Sequence, residues 1–244
     1  DGQGGSDTST LTLSVTPVDD QLSFGQLTDG AVAGTDLQVL EAHLPTGSVP
    51  TGTGEQGSGT FLIGPGASLA SLQIGSGAGA VTQTLSELRA ITPAAPVTVL
   101  GSHGSLTITG YDPVTGRVSY RYELAQAVDH AGGAVADTFS LLATDVDGGA
   151  GGGVVADSLK IDIADDAPLP RNDVDEAINV GGNPSSTASG NVITGVGGTD
   201  PNSADGIPDS PGADSASLVV SGAVVGTGPI TGGAGAVSYT HLTL

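Results

Sequence analysis

Apolar and polar positions alternate most clearly in residues 137–176, DTFSLLATDVDGGAGGGVVADSLKIDIADDAPLPRNDVDE. Phe139, Leu141 and Ala143 alternate with Ser140, Leu142 and Thr144, and Leu159, Ile161 and Ile163 alternate with Lys160 and Asp162, the period of half-buried strands. The Gly-rich residues 148–153 between them match no phosphate-binding motif and read as a hairpin loop. The same alternation predicts strands at 97–100, 106–108 and 118–122, with turns at 101–104 and 112–116. Leu37 with Val39, residues 61–63 and residues 69–74 are further strand candidates around the Gly/Thr/Ser-rich loop 46–60. Leu85, Leu88 and Ile91 stand at helical spacing, so one short helix is expected within 82–91, stopped by Pro93 and Pro96. Short strands, frequent turns and at most one short helix predict an all-β chain folded as an antiparallel β-sandwich.

Residues 1–20 carry the signature of residues 147–166 a second time. Asp1-Gly2 precedes Asp19-Asp20 by 18 residues, Asp147-Gly148 precedes Asp165-Asp166 by the same 18, and Leu13 and Val15 fall on Leu159 and Ile161. The offset, 147 − 1 = 146 residues, is too long for a solenoid turn and suits whole domains in tandem. Residues 1–20 then read as the end of a preceding unit, 21–166 as a complete one, and 167–236 as a linker and the start of the next. Strands are expected at 191–198 and 215–225 around a Pro/Asp/Gly loop at 199–214. The last eight residues, 237–244 (VSYTHLTL), resemble the translation of a transposon-end sequencing adapter and are left out of the fold, so Tyr239 and His241 are given no role.

Composition narrows the function. Five Lys and Arg stand against 26 Asp and Glu, a net charge of −21, which leaves no basic footprint for nucleic acid or an anionic membrane and makes cations the natural partners. Part of this acidity needs no more explanation than the solubility of an exposed surface. Cysteine is absent, which excludes a disulfide framework, a thiolate metal site and a cysteine nucleophile. No apolar run approaches the roughly eighteen residues of a membrane span, no signal peptide opens the chain, and the lack of Met reads as an internal fragment of a longer protein. His43, His103 and His130 lie in Gly- or Ala-rich contexts without a GxSxG serine and read as surface or structural residues. With no Trp as a sugar platform, and Tyr111, Tyr120 and Tyr122 reading as core or cross-strand residues, no enzyme is expected.

Carboxylates gather where strands end. Asp145 and Asp147 close one strand, Asp165 and Asp166 close the next, and Asp173 and Asp175 follow Pro168 and Pro170. Residues i and i+2 of an extended chain point the same way, so Asp145 with Asp147, and Asp173 with Asp175, can each aim two carboxylates at one point. Calcium takes about six to eight oxygens, and six Asp side chains with only Lys160 and Arg171 near them would fill one or two such sites in an interdomain linker. The EF-hand spacing and the RTX nonapeptide are both missing. Asp200, Asp205, Asp209 and Asp214 read either as a second calcium loop or as a disordered acidic loop.

The run GSLTITGYDPVTGRVSYRYEL at 104–124, followed by DTFSLLATDVDGG at 137–149 and LKIDIADDAP at 159–168, resembles the long repeats of giant bacterial surface adhesins exported by type I secretion, the RTX-type biofilm-associated family. The similarity covers roughly residues 37–175 and is strongest over its last 70 residues; SGNVITG at 189–195 resembles the start of a following repeat. The resemblance implies Ig-like or cadherin-like sandwiches in tandem, stiffened by calcium at their junctions, in an extracellular protein that serves adhesion and biofilm formation. Its partners would be neighbouring repeats of the same chain and, through other domains, surface polysaccharide or the host or biofilm matrix. The alternative is a module that itself binds carbohydrate or protein, which the lack of clustered aromatic residues disfavours.

Overall fold

The inward-facing residues of the alternating stretches meet between two sheets. A computed structural model describes residues 4, 9–12, 21–27, 35–66, 68–146, 153–171, 190–191, 193–196 and 206–214, and the backbone of 224–225 and 237–238. In chain order the strands of the two sheets are β1 (Ser23–Gly25), β2 (Leu37–Leu40), β3 (Gln56–Gly64), β4 (Leu69–Ile74), β5 (Val81–Thr84), β6 (Val97–Leu100), β7 (Gly104–Asp112), β8 (Arg117–Leu124), β9 (Val135–Asp145) and β10 (Val154–Ala164). One sheet has the order β1-β3-β8-β7-β6 and the other β2-β10-β9-β4-β5. This is an all-β sandwich with one helix, α1 (Leu85–Ala90). Within these sheets every pairing is antiparallel but one: β2 runs parallel to β10, with Leu37 opposite Ile161 and Leu40 opposite Ala164. Those two strands are far apart in sequence, so no hairpin imposes an antiparallel sense.

The core is the set that the alternation picks out. Phe61 and Ile63, Leu106 and Ile108, and Val118, Tyr120 and Tyr122 face inward from one sheet; Leu72 and Ile74, Phe139, Leu141 and Ala143, and Leu159, Ile161 and Ile163 face them from the other. Tyr122 meets Phe139 edge-on across the gap, ring centres 6.2 Å apart. Leu69 and Leu72 are both buried at a spacing of three because a bulge between Leu69 and Ser71 inserts one residue against β9.

The expected helix begins later than its apolar spacing suggested. Residues 81–84 pair with β4 as strand β5, and Thr84 then caps α1. The β-branched Val81, Thr82 and Thr84 fit an edge strand better than a helical first turn.

The chain enters and leaves the sandwich at opposite ends. Ser23 of β1 lies opposite Gly64, where β3 turns toward β4, and Leu69 at the start of β4 lies opposite Asp145, so these residues mark the entry end. At the exit end β10 closes at Ala164, next to the beginning of β9, where Val135 lies opposite Ile163. The ladder from Val135 to Thr144 spans roughly 30 Å at about 3.3 Å per residue. Beyond β10, Leu169 and Ser210 form an isolated bridge, and Ala213 packs against the core. The strand expected over 191–198 is not formed at the described positions: the Asn191 side chain accepts the N–H groups of Ile193 and Thr194 and closes a turn. Of the strand expected at 215–225, Val224–Val225 pairs with Val237–Ser238, and residues 215–223 lie outside the described residues. Among the described residues no helix is long and apolar enough to cross a membrane.

Candidate metal centre

Val39 of β2 faces the core, and Glu41, two positions on, keeps that inward phase as the strand gives way to a single 3-10 turn, Glu41–His43. Its carboxylate is therefore carried fully inside, 0% exposed. One oxygen, Oε1, accepts the Val128 N–H at 2.5 Å; the other, Oε2, is buried without a hydrogen-bond partner. His130 follows on the same β8–β9 connection and places Nε2 3.6 Å from Glu41 Oε1, too far for a hydrogen bond. That nitrogen is also buried and unpartnered. Asp165, the first residue past β10, completes the group: one donor atom from each of Glu41, His130 and Asp165 lies within 4.8 Å of the others. It is the one such group among the described residues.

Electrostatics at this point favour an added positive charge. Burial pushes the Glu41 carboxyl above its ordinary range; the Val128 N–H, His130 and the Asp166 N–H pull it down, and the charge of Asp214 pushes it up. Asp214 belongs to the segment after the sandwich, so carboxylates from both sides of the exit end act on one buried group. A proton or a cation at Oε2 would remove the cost of leaving it bare.

Another buried carboxylate in the same sandwich shows what full satisfaction looks like. Asp137 accepts N–H groups from Ser102, His103 and Gly104 at 2.9 to 3.2 Å and the Tyr122 hydroxyl at 2.6 Å. Glu41 has no comparable set.

Of the six aspartates expected to share a linker, the three described ones, Asp145, Asp165 and Asp166, do not all lie together. Asp145 sits at the entry end, 8% exposed, while Asp165 and Asp166 sit at the exit end, a strand length away. Antiparallel β9 and β10 put the end of one strand beside the start of the other, so within one unit Asp145 does not share a centre with Asp165 and Asp166. Asp166 is already engaged, its two oxygens accepting the Ser48 N–H at 2.7 Å and the Ser48 hydroxyl at 2.5 Å. Asp165 is exposed and joins Glu41 and His130. Asp147, Asp173 and Asp175 lie outside the described residues, as do Asp200 and Asp205; Asp209 accepts the Arg171 N–H at 2.6 Å. Tested against calcium, the described donors supply two carboxylates and a nitrogen, short of an oxygen cage.

Sequence reasoning passed over Glu41 and read His130 as a surface or structural residue. A signal for Glu41 was there, since Val39 and Glu41 share one face of β2, and an acid on a buried face needs a partner. Nothing in the Ala- and Gly-rich context of His130 marks it. Of the other histidines, His43 accepts the Gly54 N–H on Nδ1, a structural use. No protein-family model matches the sequence, and no curated protein and no solved structure matches it either.

Proposed function

We propose that residues 21–166 are a structural extender repeat of a large secreted bacterial surface adhesin, non-enzymatic, with calcium stiffening the junctions between repeats. The observation that carries this reading is the position of the two chain ends: entry beside Gly64 and Asp145, exit at Ala164 and Asp165. Units linked through opposite ends add length, whereas units whose ends lie together fold back. The distribution of carboxylates fits the same role. Asp145 of one unit, with Asp147, would face Asp165, Asp166, Asp173 and Asp175 of the unit before it, so an interdomain calcium centre draws on two copies. A sugar-binding surface finds no support in Tyr120 and Tyr122, which are buried in the core.

The test is small-angle scattering on two units joined by the native linker. The maximum dimension should exceed that of one unit by roughly 30 Å or more, the length of the sandwich at about 3.3 Å per residue, and millimolar calcium should narrow the distribution of lengths relative to chelator. A tandem no longer than a single unit would defeat the extender reading. An extended tandem indifferent to calcium would defeat the calcium junction alone.

A further inference from the structure

We propose that Glu41, His130 and Asp165 form a zinc site at the exit end of the sandwich, selective for a first-row divalent ion over calcium. Three independent observations meet there. Donor atoms of the three residues lie within 4.8 Å of one another; Glu41 Oε2 is buried with no partner; His130 Nε2 is buried with no partner and faces the same carboxylate. The acidic groups alone would carry nothing, since exposed carboxylates cluster without ions, but Glu41 Oε2 and His130 Nε2 are buried and accept or donate no hydrogen bond.

Donor chemistry selects the ion. Imidazole nitrogen suits zinc and its neighbours, whereas calcium takes oxygens and about six to eight of them. Zinc bonds imidazole nitrogen and carboxylate oxygen at about 2.0 to 2.2 Å, which makes the edge of a tetrahedral site about 3.3 to 3.6 Å. Glu41 Oε1, which also accepts the Val128 N–H, stands 3.6 Å from His130 Nε2, at that value, and the unpartnered Oε2 is the other oxygen of the same carboxylate. Asp165, exposed at the strand end, is the ligand free to close the remainder. Water would take the fourth position. The proposal stands whether or not units of this kind form an array; in an array Asp165 serves this ion and the interdomain calcium draws on the other carboxylates.

The experiment is zinc competition against a chromophoric chelator, using the whole 244-residue chain stripped with EDTA. Wild type should bind one zinc per chain at this site, His130→Ala and Asp165→Asn should each weaken it by at least about tenfold, and His103→Ala should leave it unchanged. A hundredfold excess of calcium should not displace the zinc, and zinc should raise the melting temperature of wild type but not of Asp165→Asn. Asp165 is exposed, so its variant keeps the fold and decides the matter even if His130→Ala does not fold. Three outcomes overturn the proposal: no zinc bound by the stripped wild type, wild-type affinity in Asp165→Asn, or displacement by calcium at comparable concentration.

Discussion

Asp137 and Glu41 are inward-facing carboxylates with opposite fates. Asp137 joins the 101–104 turn of one sheet to β9 of the other, because its oxygens collect three backbone N–H groups and the Tyr122 hydroxyl. Asp137→Ala should cost on the order of 3 to 5 kcal/mol, since it strands those donors in the interior, and Tyr122→Phe about 1.5 to 3 kcal/mol. Urea unfolding measures both; a loss under about 0.5 kcal/mol for Tyr122→Phe would show the bond to be idle. The phenols also set an alkaline limit. Burial, and then the charge of Asp36, pushes Tyr120 up to about 12, and burial with the Asp137 carboxylate pushes Tyr122 well above its ordinary range. The folded state therefore favours the neutral phenol over the unfolded chain, whose tyrosines titrate near 10. Stability from Tyr120 is fully present below pH 10 and lost as pH rises toward 12, on the order of 2 to 3 kcal/mol for this residue. Unfolding free energy followed from pH 8 to 12 should fall over that window, and less steeply in Tyr120→Phe.

At the scale of elements, one residue both ends a strand and starts a helix. The Thr84 side chain accepts the Glu87 N–H at 3.4 Å, and the Glu87 carboxylate accepts the Thr84 N–H at 2.8 Å and its hydroxyl at 2.7 Å. These bonds hold the Glu87 carboxyl below its ordinary range. Thr84→Ala should cost about 1 kcal/mol, while Leu88→Ala, which empties the buried contact of α1, should cost about 2 to 5 kcal/mol; thermal unfolding of the two variants ranks them. The β7–β8 hairpin depends on Gly116, whose φ is +71° and whose missing Cβ would lie 2.0 Å from the Ile63 carbonyl oxygen. Because that oxygen is backbone of the neighbouring strand β3, Gly116→Ala should disturb the β7–β8 hairpin and the β3–β8 pairing at once. Faster hydrogen exchange at Ile63, whose N–H is bonded to the Gly116 carbonyl, would report it.

For the molecule as a whole, Asp166 is the joint. It holds Ser48 by two hydrogen bonds, its carbonyl packs against Gly212, and it lies between β10 and the Leu169–Ser210 bridge. Asp166→Ala should free the 44–50 loop and the 206–214 segment together, with amide exchange at Ser48 and Ser210 rising at least tenfold while β7 and β8 keep their protection. Unchanged exchange at Ser210 would show that the following segment docks without it.

Much of this protein was legible as a line of letters. Alternation at Val118, Tyr120 and Tyr122, at Phe139, Leu141 and Ala143, and at Leu159, Ile161 and Ile163 determined both strands and core, because a period of two leaves each residue only one of two faces. Local chemistry likewise determined the turns and placed a short helix near Leu88. Only the tertiary structure decided the parallel pairing of β2 with β10, a contact across 124 positions that no local pattern encodes. It also decided the candidate site. Spacing in sequence grouped Asp145 with Asp165 and Asp166, but an antiparallel hairpin sends them to opposite ends, and the same folding brings Glu41, His130 and Asp165 from three distant stretches to within 4.8 Å. Proximity in the chain measures contour length, whereas a metal site needs proximity in space.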